Sequence, residues 1–348
     1  MVKSYSVYDR ILGSLTVAGM GDGMGGATEA MSTDEIKKKF GGLVTKFEDP
    51  FDNKIAYGNF VAEVTDDASQ MYEMAKMMVK EKGDLTVQGA ADALVIWSES
   101  YPKYFPRNAG PTTSHVIKEL KEGADPEEVG KVGLLYGRGT SNGAAMRVAA
   151  AGLVHPGDLE GAVQTAVIMT KPSHGTQHAY SGACAIACAI AEAMTEQANV
   201  FTIIKAALYG AKRGEEIGLK EARIATGVRL YDKLLEGITI GLDATDMEDC
   251  IAKLEARIGN GGEIQPSVAC AMGLFVFACG DPHQTILGGA NIGGDTDTIA
   301  CIAGMVAGAY SGYEALRKDW VELFEQANPA LDFKAVSKDL AAIAESRM

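Results

Sequence analysis

Apolar residues recur at intervals of three and four along most of the chain, which is the spacing of one face of an α-helix. The methionine-rich segment after Asp67 and residues 224–235 show this spacing, and the clearest example is residues 245–258, with apolar side chains at Met247, Ile251, Leu254 and Ile258. Alternation typical of β-strands is scarce, and its best instance, residues 42–46, is short. The pattern predicts an all-α fold of about a dozen helices.

Small side chains add detail to this prediction. Only 7% of the residues are aromatic, whereas the chain has 41 glycines. Small residues within 300–308 fall on one face of a predicted helix, where they allow another helix to approach closely. Residues 19–29 contain the G-x-G-x-x-G pattern of dinucleotide-binding loops, but no β-strand pattern precedes them. We interpret this segment as part of a tightly packed helix pair.

The length of 348 residues suits two domains of ordinary size or one large domain. No internal repeat of about 20–50 residues is visible, and no low-complexity linker divides the chain. The loops richest in glycine and proline are short and lie between helical patterns. We therefore expect one compact multi-helix domain over residues 1–348.

Composition excludes several classes of function. With 46 acidic and 32 basic residues, the net charge is −14 and no basic cluster is present, so a nucleic-acid partner is not expected. No stretch reaches the ~18 uncharged apolar residues of a transmembrane helix, and no apolar signal-peptide core precedes Asp9. Six cysteines scattered over so long a chain indicate reduced thiols, as in cytosolic proteins. These features predict a cytoplasmic protein without a membrane partner.

Two acidic clusters stand out because each lies where a loop pattern gives way to a helix pattern. The first is Val-Thr-Asp-Asp-Ala at residues 64–68, in which Thr65 is the predicted N-cap of the next helix. The second is Gly-Gly-Asp-Thr-Asp-Thr at residues 293–298. Carboxylates at a helix N-terminus contribute about 0.3–1 kcal/mol each, so either cluster alone has a purely structural interpretation.

Together, the clusters supply four carboxylates and two hydroxyls. Such an all-oxygen set suits Mg²⁺ or Mn²⁺ better than Zn²⁺. Carboxylates brought together would repel one another unless a cation neutralised them. Sequence spacing does not establish that the clusters meet in space. The side chains concerned are Thr65, Asp66, Asp67, Asp295, Asp297 and Thr298.

These clusters also form part of a longer ordered pattern. Along the chain it comprises Gly21-Asp22 with Glu29, the T-D-D of residues 65–67, S-N-G-A-A-M-R at 141–147, S-H-G at 173–175 and G-G-D-T-D-T at 293–298. This pattern resembles the ADP-ribosylglycohydrolase family, which includes the hydrolase that reactivates dinitrogenase reductase and the ADP-ribosyl-acceptor hydrolases. The resemblance extends over residues 11–312, nearly the whole chain.

The resemblance implies an all-α fold with two Mg²⁺ or Mn²⁺ ions in a central cleft, and a glycohydrolase that cleaves the C1 bond of an ADP-ribosyl or ribosyl group with an activated water. It implies Glu29 as the catalytic carboxylate beside the metals, with Asp66 and Asp297 as alternative proton acceptors. The implied metal ligands are Thr65, Asp66, Asp67, Asp295, Asp297 and Thr298. The implied substrate-binding residues are Asn108, Asn142, Gly143, Met146 and His174.

Departures from the family pattern leave the substrate open. Ala68 stands where the family commonly has Thr or Ser, and Asn108 stands where some protein-directed members have an aspartate base. Asparagine cannot accept a proton at neutral pH, so either the base lies elsewhere, with Glu29 the candidate, or the match is offset by one residue. The candidate substrates are an ADP-ribosylated protein and a small ribosyl compound or nucleoside. A non-catalytic ADP-ribose binder and a structural, crystallin-like relative are further alternatives. Residues 40–60, between Glu29 and the T-D-D motif, are a candidate lid.

Overall fold

The computed structural model describes residues 6–131 and 139–348. Within these ranges the chain forms 17 α-helices and no β-strand, which confirms the predicted all-α fold. Their bounds are α1 Val7–Gly25, α2 Thr33–Phe40, α3 Asp66–Lys80, α4 Val87–Ser100, α5 Pro111–Lys121, α6 Gly143–Met146, α7 Ala149–Leu153, α8 Leu159–Thr170, α9 Gln177–Ala193, α10 Val200–Glu221, α11 Leu230–Asp243, α12 Met247–Arg257, α13 Ile264–Phe277, α14 Pro282–Asn291, α15 Thr296–Ser311, α16 Lys318–Ala327 and α17 Phe333–Glu345.

Helices α1 and α15 pack against each other at the centre of the fold through small residues. A Cβ atom added to Gly21 would lie 2.4 Å from the carbonyl oxygen of Ala300, and one added to Gly304 would lie 2.6 Å from that of Val17. Distances this short leave no room for a side chain at either of these two positions. The interpretation of residues 19–29 as part of a tightly packed helix pair is therefore confirmed.

Most of the buried apolar side chains of the described residues form one continuous core. Around the central pair, α9 packs against α10 and α11 packs against α13, again through glycines. A Cβ on Gly214 of α10 would lie 2.4 Å from the carbonyl oxygen of Tyr180, and one on Gly237 of α11 would lie 2.3 Å from that of Ala269. No helix in the described ranges is long and apolar enough to span a membrane.

Most of the helices expected from periodicity are present. Residues 245–258 contain α12, and the methionine-rich segment is α3. The first half of the predicted helix at 224–235 is wrong, because α11 begins only at Leu230. The N–H and carbonyl groups of Ala225 pair with the side-chain amide of Gln177 instead of with helical partners.

Residues 42–46, the best strand-like segment of the sequence, form no strand. The backbone N–H of Val44 donates to Oδ1 of Asn291, and its carbonyl accepts from Nδ2 of the same side chain. A single buried asparagine thus provides the pairing that a neighbouring strand would otherwise supply.

Candidate active site

A cavity of about 390 Å³ lies at the N-terminal ends of α3, α5, α6 and α15. Helix N-termini carry partial positive charge, which partly stabilises the protein's own carboxylates at the starts of α3 and α15. Two predicted site residues, Thr65 and His174, do not line the cavity. The predicted residues that do line it are Glu29, Asp66, Asp67, Asn108, Asn142, Gly143, Met146, Asp295, Asp297 and Thr298.

The two acidic clusters of the sequence meet at this cavity. Carboxylate oxygens of Asp22, Asp67 and Asp297 lie within 4.8 Å of one another, and those of Glu29, Asp295 and Asp297 form a second such group. Asp297 belongs to both groups and therefore links them. These five carboxylates, together with Asp66, are called the acidic centre below. The convergence that sequence spacing left open is thus present in the fold.

Asp22 also belongs to the acidic centre, although the sequence indicates it only as part of the Gly21-Asp22 motif. It is fully buried in α1, and its carboxylate accepts hydrogen bonds from the backbone N–H groups of Thr65 (2.9 Å) and Ala68 (2.8 Å). The Thr65 hydroxyl lies 2.8 Å from the same carboxylate. Thr65 occupies the predicted N-cap position of α3, but its side chain makes no capping bond. Asp22 pairs these N-terminal donors instead, and an isolated acidic residue within a glycine-rich buried helix was the available sequence signal.

Glu29 pairs with the start of α15 in a similar way. Its Oε2 atom accepts from the backbone N–H of Thr296 at 2.8 Å and of Asp297 at 3.4 Å. Burial and the nearby Asp295 carboxylate raise the pKa of Glu29 to about 7. A carboxyl group with this pKa can hold or release a proton near neutral pH.

Three further carboxylates lie in an environment that disfavours their charged forms. Burial, followed by repulsion from neighbouring carboxylates, raises the pKa of Asp66, Asp67 and Asp297 well above its usual range. The Oδ1 atom of Asp67 is buried and has no hydrogen-bond partner. An unpaired buried carboxylate oxygen is costly, and a hard divalent cation would satisfy it and relieve the repulsion. The donor set therefore fits Mg²⁺ or Mn²⁺.

Residues next to the carboxylates hold two of them in place. The side-chain amide of Asn142 donates to Oδ2 of Asp295 at 2.6 Å. That of Gln70 donates to Oδ2 of Asp66 at 2.8 Å and accepts from the guanidinium of Arg147. Arg147 is fully buried and does not line the cavity. It acts on Asp66 from the protein interior, through its hydrogen bond to Gln70.

His174 lies behind the cavity wall rather than on it. Its side chain is fully buried, and burial together with Arg147 lowers the pKa of the imidazole well below its usual range. One ring nitrogen, Nε2, lies 2.8 Å from the hydroxyl of Ser141, which does line the cavity. Ser141 therefore lies between His174 and the cavity.

The candidate lid borders the cavity. Ile55 lines it, and Asn53 donates to the carbonyl oxygen of Glu29 at 2.8 Å. Arg107, also a lining residue, donates to the carbonyl oxygen of Tyr57 at 2.9 Å and to Oδ1 of Asn59 at 3.0 Å. The segment is thus bonded to two lining residues, and its closure over a substrate stays a prediction.

Comparisons with known proteins agree with this geometry. The family model for ADP-ribosylglycohydrolase matches residues 3–347. The protein YegU of Escherichia coli strain K12 is 28% identical over 341 residues, covering 97% of this chain and 98% of YegU. ADP-ribosylhydrolase ARH3 of Mus musculus is 25% identical over 340 residues, covering 91% of this chain and 87% of ARH3.

A solved structure described as an ADP-ribosylglycohydrolase-related protein complex shares the fold. The two chains superpose with a TM-score of 0.67 at 20% sequence identity, covering 97% of this chain and 99% of the other. Together with the family match over nearly the entire length, the fold and the acidic cavity lead to one assignment. The chain belongs to the ADP-ribosylglycohydrolase family and is a glycosyl hydrolase.

Proposed function

We propose that the protein is a Mg²⁺- or Mn²⁺-dependent glycohydrolase that cleaves the C1 glycosidic bond of an ADP-ribosyl or ribosyl group. The observation that carries this proposal is the convergence of the two acidic clusters, with Glu29, around one cavity. The unpaired buried oxygen of Asp67 supports a cation at the same place. The acidic wall also suits a reaction whose transition state develops positive charge at C1.

Two divalent ions would be held by the carboxylates and hydroxyls of the two clusters. When bound, such ions polarise substrate oxygens and lower the pKa of water. Asp22 contributes by fixing the start of α3, and Asn142 and Gln70 contribute by orienting individual carboxylates. The proposed ligands are Thr65, Asp66, Asp67, Asp295, Asp297 and Thr298.

Glu29 is the proposed proton acceptor for the attacking water. Its pKa of about 7 matches the task, because a general base works best when its pKa lies near the working pH. The hydrogen bonds from the start of α15 fix one of its oxygens, so the carboxylate has a defined orientation. Asp66 and Asp297 are the alternative acceptors. Asn108, Asn142, Gly143 and Met146 form the wall where the ribosyl group would bind.

A nucleoside or another small ribosyl compound is the second candidate substrate, and one observation favours it. Among the described lining residues, Arg107 is the only lysine or arginine. Its guanidinium already donates to Tyr57, Asn59 and Asn108. A diphosphate is bound best by free cationic donors, so this wall favours a substrate without one.

A cytoplasmic location is part of the proposal. All six cysteines lie in the described ranges and are free thiols, and five of them are buried. Reduced cysteines are typical of cytosolic proteins. The proposed substrate is therefore an intracellular one, either an ADP-ribosylated protein or a small ribosyl metabolite.

One hydrolysis panel tests these proposals. The protein is incubated with Mg²⁺, with Mn²⁺ or with a chelator, together with ADP-ribosyl-arginine, O-acetyl-ADP-ribose, ADP-ribosylated protein and a set of nucleosides, and the products are separated by chromatography. Metal-dependent release of ADP-ribose would support the first candidate, and release of ribose and a base would support the second. Full activity in chelator would contradict the metal dependence, and ligand binding without turnover would indicate a non-catalytic binder.

A further inference from the structure

The backbone on both sides of Ser141 is hydrogen-bonded to a neighbouring segment of the cavity wall. The backbone N–H of Asn142 donates to the carbonyl of Gly262 at 3.0 Å, and that of Ile264 donates to the carbonyl of Thr140 at 2.9 Å. Ser141 lies between these two bonds, directly opposite Glu263. The backbone of Ser141 is therefore held in place, and the direction of the hydroxyl hydrogen decides what the side chain can bind.

Behind Ser141 lies a chain of fully buried polar groups. Nε2 of His174 is 2.8 Å from the Ser141 hydroxyl. The other ring nitrogen, Nδ1, is 3.1 Å from a terminal nitrogen of Arg147 and 2.9 Å from the hydroxyl of Ser173. The side chains of His174, Ser173 and Arg147 are each at most 1% exposed.

Arg147 determines which ring nitrogen of His174 carries the proton. A guanidinium has only donors, so the nitrogen facing it must offer a lone pair. A proton on Nδ1 would oppose the N–H of Arg147 at 3.1 Å, and a second proton would add a buried charge next to the guanidinium. The ring is therefore neutral with its proton on Nε2. That N–H donates to the oxygen of Ser141, so the serine hydrogen cannot point back to His174 and is available to the cavity.

We propose that Ser141 is a substrate-binding hydrogen-bond donor whose direction is set by the buried Arg147–His174 pair. Its partner is an acceptor oxygen of the substrate, a ribose hydroxyl or a phosphate oxygen. Arg147 and His174 are positioning residues in this arrangement, because neither lines the cavity. The identity of the ligand rests on the proposed function, whereas the proton position on His174 does not.

The proton position is measured on the resting protein without substrate. Long-range ¹⁵N–¹H spectra of histidine-labelled protein distinguish the two neutral tautomers and the charged ring, and the His174 signals are assigned by their loss in His174→Gln. We expect the neutral Nε2–H form at pH 7, unchanged in Ser173→Ala because Arg147 still faces Nδ1. A proton on Nδ1, or on both nitrogens, would overturn the proposal.

The contact with substrate is measured by calorimetry with ADP-ribose and with adenosine in the presence of Mg²⁺. Loss of one hydrogen bond to a neutral hydroxyl weakens binding by about 3- to 10-fold, and loss of one to a charged phosphate oxygen by about 10- to 100-fold. Ser141→Ala should weaken both probes if a ribose hydroxyl is the partner, and ADP-ribose alone if a phosphate is. Ser114→Ala is the matched control, because Ser114 is a partly buried serine outside the cavity that donates to the carbonyl of Ala109.

Equal affinity of Ser141→Ala and the wild-type protein for both probes would refute the contact. A melting temperature of Ser141→Ala equal to that of the wild-type protein shows that the fold is retained. If the wild-type protein binds neither probe, the proposed function fails, and the tautomer measurement still decides whether the Arg147–His174 pair sets the direction of Ser141.

Discussion

At the scale of single residues, the acidic centre combines groups that disfavour one another in the absence of a cation. Asp67 has a buried oxygen without a partner, and burial raises the pKa of Asp66 and Asp297. Neutral donors such as Gln70 and Asn142 orient the carboxylates without cancelling their charge. Such an arrangement lowers stability by itself, which is typical of sites whose function depends on a bound ion.

Removing the charge of one carboxylate should separate two effects on stability: the destabilisation by buried, repelling carboxylates and the stabilisation by bound metal. Asp295→Asn should abolish the stabilisation by Mg²⁺ or Mn²⁺, which for the wild-type protein amounts to about 2.7 kcal/mol at 100 times the dissociation constant. In chelator the variant should be at least as stable as the wild-type protein, because a repulsive charge is gone. Thermal melts with and without metal measure both effects. Asp339→Asn, an exposed position on α17, is the control, and an undiminished metal response in Asp295→Asn would contradict the assignment.

Glu29 carries a prediction about rate. Glu29→Gln keeps an acceptor oxygen for the start of α15 but cannot take a proton, so kcat should fall about 10²- to 10⁴-fold. The metal-induced rise in melting temperature should persist, because all six proposed ligands remain. Steady-state kinetics on whichever substrate of the panel is hydrolysed provide the measurement. A kcat within a few-fold of the wild-type value would move the base role to Asp66 or Asp297.

At the scale of elements, the site depends on how closely α1 approaches the start of α15. A Cβ on Gly25 would lie 2.4 Å from the Cα of Asp297, whereas one on the next residue, Gly26, would meet its nearest atom at 3.5 Å. Neither glycine has a positive φ, so both adopt a backbone conformation open to alanine. Space alone therefore distinguishes the two positions.

This pair of glycines gives a prediction with a built-in control. Gly25→Ala should lower the free energy of unfolding by about 1–3 kcal/mol, as overpacking does, and should weaken metal binding because the start of α15 must shift. Gly26→Ala should leave both quantities nearly unchanged. Denaturant unfolding and metal titration of the two variants provide the comparison. Equal behaviour of the two variants would show that the helix contact does not set the ligand geometry.

At the scale of the whole molecule, the acidic centre couples folding to pH. The pKa values of Glu29 and Asp22 rise to about 7 and about 6 in the folded chain, above their ordinary values of 4.5 and 3.8. Between these limits the folded state binds more protons than the unfolded state, so stability decreases as pH rises. A divalent cation competes with the protons and replaces them at high pH.

The metal-free protein should therefore be more stable at pH 5 than at pH 8, with the loss concentrated between about pH 4 and pH 7. Saturating Mg²⁺ should remove most of this slope, because the carboxylates are then neutralised by the ion. Urea unfolding at a series of pH values, in chelator and in Mg²⁺, measures both curves. A metal-free protein whose stability rises through this range would contradict the buried, repulsive character of the site.

The helical fold, most helix positions and the carboxylate chemistry of the two acidic clusters follow from the amino-acid sequence alone. These properties depend on local spacing and on residue type, as the periodicity of α12 and the T-D-D motif illustrate. Local spacing predicts a helix wrongly at residues 224–229, because the side-chain amide of Gln177 pairs with the backbone N–H and carbonyl of Ala225.

Which side chains come together at the cavity depends on the packing of the helices. Thr65 and Asp297 lie 232 positions apart and approach to 3.3 Å, because Asp22 of α1 binds Thr65 while α1 packs through glycines against α15. The same packing brings Asp22 into the acidic centre, and the burial of Arg147 and His174 places them behind Ser141. Such proximity comes from helices packing at close range across the core, and the local spacing of residues along the chain does not record it.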